Sequence, residues 1–252
     1  MYSAGIDIGS VATKGVLYNG EITASVIIPT GWSPREASQQ ALAMVLDRVG
    51  AERAALKSII ATGYGRVSAD FASRSVTEIT CHARGAFALH PGIRTVLDIG
   101  GQDAKVIRLD DSGAVADFAM NDKCAAGTGR FLEVMARILG AEVKDLDSLA
   151  GHAEPAAITS MCAVFAESEV ISLMAKGATR EAIARGVLES IADRAIGLLG
   201  KNSSSGSLAF TGGLSRSRVL VSIIEQRLGM QVFTSPSSQI AGALGGAVIG
   251  WN

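Results

Sequence analysis

Apolar and polar positions follow two different rhythms along this chain. From residue 3 to residue 28, short apolar runs (SAGIDIG, TKGVLY and EITASVII) are separated by Gly9-Ser10 and Asn19-Gly20. The pattern predicts three strands, and Asn-Gly between apolar runs is a strong hairpin signal. Ser33-Pro34-Arg35-Glu36 then has capping-box spacing with proline at the first helical position, and Leu42, Val45, Leu46 and Val49 supply an apolar stripe that stops before Gly50. A further strand is expected over 58–62, running into the turn Gly63-Tyr64-Gly65-Arg66, and a helix over 77–90 that ends at Pro91-Gly92.

The opening pattern then begins again. Asp7-Ile8-Gly9 followed by Lys14 is matched, 91 residues on (98 − 7), by Asp98-Ile99-Gly100 followed by Lys105. RTVLDIGG, AKVIRLDDSG and AVADFAM again predict strand, tight turn, strand, turn, strand. Two homologous lobes fit this repeat better than a solenoid, which needs three or more short units. The boundaries expected are 1–92 and 93–252, with 238–252 as a segment able to pack back on the first lobe. The second half carries more helix, with candidates over 127–139, 163–176, 180–199, 217–228 and 239–249, and strands near 207–211 and 231–234. Ile183, Val187, Leu188, Ile191, Ala195 and Leu198 form one stripe of a core-facing helix. Ser203-Ser204-Ser205-Gly206 reads as a short surface loop.

Composition narrows the possibilities. Of 252 residues, 48% are hydrophobic and only 19% charged, so the chain is too apolar to be disordered and long enough for two lobes with real cores. A net charge of −1 offers no electrostatic footprint for a nucleic-acid backbone. No run of 18 apolar residues and no basic, apolar leader is visible, so the expectation is a cytoplasmic protein without a membrane span.

Three glycine elements carry candidate chemistry. In the first, Asp7 ends a strand and Gly9, Ser10, Val11, Ala12 and Thr13 lead to Lys14. Backbone N–H groups in such a turn converge on phosphate oxygens, and the Ser10 or Thr13 hydroxyl and the Lys14 ammonium add to them. Asp98, Gly100, Gly101, Gln102 and Asp103 repeat this equipment in the second lobe. Two acidic strand ends across a cleft suit a magnesium-bound triphosphate, since magnesium takes few protein carboxylates and completes its shell with water and phosphate. The third element, Phe210-Thr211-Gly212-Gly213-Leu214-Ser215-Arg216, lies between a predicted strand and helix, where Gly212, Gly213 and Arg216 would meet an adenosine. Neither G-x-x-x-x-G-K-S/T nor a first-strand G-x-G-x-x-G is present. In this order the elements resemble the nucleotide-binding layout of the actin, heat-shock chaperone and sugar kinase superfamily, which implies an α/β fold of two ribonuclease H-like lobes around a nucleotide cleft.

The three cysteines fit no disulfide framework. Cys81 falls mid-helix and reads as a small buried hydrophobe. Asn121-Asp122-Lys123-Cys124-Ala125-Ala126-Gly127-Thr128-Gly129-Arg130 and Ser160-Met161-Cys162-Ala163-Val164-Phe165-Ala166-Glu167 closely resemble the cysteine signatures of the ATP-dependent activators of 2-hydroxyacyl-CoA dehydratases, the family that includes the benzoyl-CoA reductase ATPase subunits. The likeness runs from GIDIGS through TGYGR, DIGGQDAK and FTGG to AGALGGAVIG.

That resemblance implies ATP/ADP and Mg2+ in the cleft and one 4Fe-4S cluster held by Cys124 and Cys162 of each subunit of a homodimer. A cluster takes four thiolates and one chain offers two. Each cysteine is expected just before a helix, whose N-terminus favours a thiolate. The resemblance further implies ferredoxin or flavodoxin as electron donor, and a 2-hydroxyacyl-CoA dehydratase or related double-cluster reductase as acceptor. Water would be the phosphoryl acceptor, with Gln102, Asp103 or Asp98 as candidates to orient it. Gly127, Thr128 and Gly129 begin three residues after Cys124 and are expected at the phosphates. The competing readings are a sugar or amino-sugar kinase of the same superfamily, a chaperone-like ATPase, and a zinc site of Cys81, His82, Cys124 and Cys162.

Overall fold

In the computed structural model, which describes residues 1–160, 162–200 and 206–252, the repeat becomes two five-stranded mixed sheets of identical topology. The first contains β1 (Tyr2–Ile8), β2 (Ala12–Tyr18), β3 (Ile22–Pro29), β4 (Leu56–Thr62) and β5 (Arg74–Ser75), in the order β3-β2-β1-β4-β5. The second contains β6 (Thr95–Ile99), β7 (Ala104–Leu109), β8 (Val115–Asn121), β9 (Leu208–Gly212) and β10 (Val232–Phe233), in the order β10-β9-β6-β7-β8. In each, three antiparallel strands lead and parallel strands follow by helical crossovers. The registers repeat as well: Asp7 faces Lys14 and Thr62 on its neighbours, and Asp98 faces Lys105 and Thr211.

Local chemistry sets the element ends. Helix α1 (Pro34–Asp47) begins where the Glu36 N–H donates to Ser33 Oγ, and α2 (Glu78–Leu89) where the Thr80 N–H donates to Thr77 Oγ1. The second lobe adds α3 (Gly129–Ile138), the short α4 (Leu146–Ala150), α5 (Ala163–Ala175), α6 (Arg180–Leu199) and α7 (Arg218–Leu228). Helix α6 is buried beyond its apolar stripe, at Ala184, Gly186 and Ala192 as well. A Cβ at Gly186 would stand 2.0 Å from the Ala156 carbonyl, so the 153–158 segment crosses this face at backbone distance. The serine loop at 203–205 lies outside the described residues. None of the helices among the described residues is long and apolar enough to cross a membrane.

The last helix, α8 (Ala241–Trp251), packs on β1 and β4 of the first sheet and on α2. Glycine makes this possible. A Cβ on Gly5 would lie 1.9 Å from the Ala243 carbonyl, and one on Gly85 1.8 Å from that of Ala241. The α2–α8 crossing is therefore backbone on backbone, directly beneath the ends of β1 and β6.

Candidate functional site

The ends of β1 and β6 open into a cleft of about 410 Å3 between the sheets. Its walls include the β1–β2 turn (Gly9 to Ala12, with Lys14), the β6–β7 turn (Gly100 to Asp103), and Gly212 and Gly213 after β9. The first turn is closed by the Gly9 N–H on the Ala12 carbonyl at 3.1 Å, the second by the Gly100 N–H on the Asp103 carbonyl at 2.9 Å. The turns meet: a Cβ on Gly101 would lie 2.5 Å from a methyl of Val11. The two copies of the repeated turn are thus brought to one place.

The two strand-end carboxylates have different surroundings. Asp7 is 3% exposed, and its Oδ2 accepts from Lys14 Nζ at 3.1 Å. Asp98, 1% exposed, is held from three sides. Thr211 donates to its Oδ1 at 2.7 Å, His82 Nδ1 stands 3.0 Å from the same oxygen, and Lys105 Nζ lies 3.5 Å from Oδ2. The His82 contact is close but poorly aligned as a hydrogen bond, so it acts chiefly through charge. Burial alone would raise the Asp98 pKa; His82, Lys105 and Thr211 outweigh it and hold the carboxyl far below the usual range. Burial would lower the His82 pKa, but Asp98 and Asp7 push it above the ordinary value.

Lys105 sits at the centre of this network, with Asp103 Oδ1 at 2.7 Å and Glu78 Oε2 at 3.7 Å. Burial would depress its pKa, and the three carboxylates reverse that. Glu78 lines the cleft from the first turn of α2, and burial raises its pKa despite Lys105. Sequence reasoning missed Glu78 and His82, one turn apart on α2, as members of the cleft, and it missed Lys105 too. For Lys105 the signal exists, in its match to Lys14.

Two expected residues, Thr13 and Arg216, face elsewhere. Thr13 is fully buried behind the first turn, its hydroxyl 2.9 Å from that of Thr30, which donates to the Gly9 carbonyl at 2.7 Å. It braces the turn from the sheet side, because strand alternation that puts Lys14 beside Asp7 turns Thr13 away. Arg216 is exposed, 3.5 Å from Gln239 Oε1, and Gln239 rather than Arg216 lines the cleft. Gln102 is exposed at the cleft wall, whereas Asp103 is tied to Lys105. Thr62-Gly63 and Thr211-Gly212 form a second internal correspondence, each glycine at φ 86° before a 3-10 turn.

Gly127, Thr128 and Gly129 divide. Gly129 lines the cleft; Thr128 is buried and donates to the Ala125 carbonyl at 2.6 Å; Gly127, at φ 87°, packs on Arg194. The Gly129 N–H donates to the Gly100 carbonyl at 2.9 Å and the Arg130 N–H to that of Gly101 at 2.8 Å. The segment that begins at Cys124 is therefore bonded directly to the second glycine turn.

The cysteines separate by environment. Cys81 is fully buried on α2, and burial pushes its thiol up to about 12. Cys124 and Cys162 are exposed. Cys162 is the N-cap of α5, but α3 starts only at Gly129, five positions after Cys124 (129 − 124), because Thr128 and not the cysteine occupies the cap. Among the described residues no three His, Cys, Asp or Glu side chains gather into a metal-holding group, so the zinc set of Cys81, His82, Cys124 and Cys162 does not form. Both exposed thiols therefore lie outside the core, in contrast to Cys81.

Known proteins share the sequence and fold of this chain. Residues 4–250 match the model of the BadF/BadG/BcrA/BcrD ATPase family. YjiL of Escherichia coli is 50% identical over 250 residues, 99% of this chain and 96% of that one. The activator of lactoyl-CoA dehydratase from Anaerotignum propionicum is 43% identical over 98% of this chain and 96% of its own. The solved activator of the 2-hydroxyisocaproyl-CoA dehydratase from Clostridium difficile, with bound ADPNP, superposes with a TM-score of 0.93 at 39% identity, covering 100% of this chain and 94% of that one.

Proposed function

The chain belongs to the BadF/BadG/BcrA/BcrD ATPase family, and from that premise we propose that it hydrolyses ATP to drive low-potential electron delivery to a 2-hydroxyacyl-CoA dehydratase or related double-cluster reductase. The observation that carries this reading is the pair of hydrogen bonds from Gly129 and Arg130 to the Gly100-Gly101 turn. They join the Cys124 segment to the nucleotide cleft within a few residues. A change at the terminal phosphate then reaches the cysteine segment without a long relay.

In this reading the lobes are 1–92 and 93–252, with 238–252 returned to the first. Gly9 to Ala12, Lys14, Gly100, Gly101 and Gly129 cradle the phosphates, and Gly212, Gly213 and Gln239 receive the adenosine side. Asp7, whose second oxygen is not taken by Lys14, holds the magnesium ion and its waters. Asp98 is a positioning group, since His82, Thr211 and Lys105 already occupy its oxygens. Gln102 orients the attacking water: it is exposed at the wall, and no hydrogen bond ties its amide among the described residues. Cys124 and Cys162, with the same pair from a second copy, would hold a 4Fe-4S cluster, which would supply one-electron storage for an electron from a ferredoxin- or flavodoxin-type donor. Making an electron about 300 mV more reducing costs about 7 kcal/mol, at about 1.4 kcal/mol per 59 mV. Only a difference in nucleotide affinity between two lobe arrangements can supply it.

Anaerobically purified protein should be brown, with about four irons per dimer. Cys124→Ala and Cys162→Ala should each abolish the colour and leave nucleotide binding intact. Colourless wild-type protein that phosphorylates a sugar would sink the proposal in favour of a kinase. Thr128→Ala and Gly129→Ala should change hydrolysis and electron delivery together; unchanged rates for both would remove the coupling.

A further inference from the structure

The two cysteine segments are far apart in sequence yet share one side chain. Arg194, on α6, reaches the second segment through Nη2, which donates to the Ser160 carbonyl at 2.7 Å, two residues before Cys162. Its stem lies under the first: a Cβ on Gly127 would stand 3.0 Å from Arg194 Cδ. Nη1 donates to Ser190 Oγ at 2.7 Å, and the guanidinium rests on the Phe131 ring of α3 at 5.2 Å from its centroid. The cation is thus aimed, half-buried, between the segments that carry the exposed thiols. From the other side Glu169 of α5 accepts from the Thr159 and Ser160 N–H groups, at 2.9 to 3.1 Å, so the Ser160 peptide is fixed at both its N–H and its carbonyl.

We infer that Arg194 is a positioning residue of the cysteine site, holding both segments at a fixed separation and supplying the cation that offsets the negative charge of the thiolate-bound cluster. The inference rests on the reading of Cys124 and Cys162 as cluster ligands. A guanidinium does both jobs because its planar fork binds Ser160 and Ser190 at once while its charge is permanent. Lysine keeps the charge and loses the fork; glutamine loses both.

Two measurements test this. In the protein before iron is added, hydrogen exchange of segments 124–129 and 158–162 should quicken at least tenfold in both Arg194→Lys and Arg194→Gln, while α1 and α8 keep wild-type protection. In the iron-reconstituted dimer, titrated with dithionite and followed by electron paramagnetic resonance, the one-electron reduction should become harder in R194Q and stay near wild type in R194K. A tenfold fall in the reduced-to-oxidised ratio at fixed poise corresponds to about 59 mV. A merely structural arginine would move exchange and not the potential. Wild-type exchange in R194K overturns the strut, and a wild-type potential in R194Q overturns the charge. Where R194Q is not recovered folded, R194K exchange and a Ser190→Ala variant, expected to loosen the same segments with the charge kept, decide; wild-type exchange in both overturns the inference. A wild-type protein that takes up no iron refutes the cluster reading itself, a separate outcome visible before any variant is made.

Discussion

Glycine to alanine inside a helix ordinarily stabilises, by about 1 kcal/mol, because alanine loses less backbone entropy on folding. Two glycines here should respond with opposite sign. At Gly197 on α6, exposed and with nothing within 4 Å of where a Cβ would stand, Gly197→Ala should gain up to about 1 kcal/mol. At Gly245 on α8, the added carbon would stand 1.7 Å from the Cys81 carbonyl oxygen and 2.8 Å from the Gly85 nitrogen. To reach even 3.0 Å from that oxygen, α8 and α2 must separate by more than an ångström, and both contacts are backbone, so no rotamer relieves them. Overpacking costs about 1–3 kcal/mol when side chains can adjust, and a backbone clash belongs at or above the top of that range. Subtracting the propensity gain leaves Gly245→Ala about 2 kcal/mol less stable, a fall of roughly 4–8 °C in Tm for a chain of this length. Because α2 carries Glu78 and His82 into the cleft, ATP affinity should fall as well. Equilibrium urea unfolding of both variants, with nucleotide titration of the folded protein, checks the sign. Gly245→Ala at or above wild-type stability, or both variants shifting the same way, would refute the backbone-contact argument.

Lys105→Met should destabilise by about 3–5 kcal/mol, since it leaves the buried Asp98 and its neighbours Asp103 and Glu78 without their shared cation, whereas Lys14→Ala, which leaves only the buried Asp7 without its cation, should destabilise less and weaken nucleotide binding as well; urea unfolding and ATP titration compare the two. Glu169 is pushed up by burial but drawn down to about 2 by the Thr159 and Ser160 hydrogen bonds, from an ordinary value of 4.5. Its folded pKa is depressed, so its contribution is complete above about pH 4.5 and lost as pH falls towards 2; the stability gap between wild type and Glu169→Gln should close across that window in acid titrations. In the iron-free native protein, alkylation at pH 8 followed by mass spectrometry should label Cys124 and Cys162 and spare Cys81, which is buried with its thiol held up to about 12; equal labelling of all three would contradict its burial.

The parts of the fold that are legible in the sequence are those where one local rule decides the outcome. Asn19-Gly20 between apolar runs favours a turn, Ser33-Pro34 with Glu36 and the apolar stripe after it favours a helix start, and a D-I-G turn followed by lysine, written twice, carries the duplication because each copy folds its own hairpin. The cleft's polar interior is less legible because its members come from elements whose patterns say only that they are buried. Residues 77–90 read as a helix, yet that pattern cannot state that His82 meets Asp98 of the other sheet, a partner 16 residues on and across a lobe junction. The same limit misplaces Thr13 and Arg216. A residue type suited to phosphate need not face it: strand alternation turns Thr13 inward to Thr30, and a 3-10 turn after Gly212 carries Arg216 out to the surface. Cys124 is misread in the same way, since proximity to a glycine-started helix suggests a helix-end thiolate, whereas the cap belongs to Thr128 and the cysteine stands in the preceding loop. Arg194 is the extreme case. Nothing in an amphipathic helical stripe distinguishes it from any other arginine on α6, and its place between the two cysteine segments exists only once α3, α5 and α6 have packed. A tertiary position of that kind is open to test by mutation in a way that sequence pattern is not: if Arg194 were an ordinary surface cation, lysine would replace it without consequence for either segment.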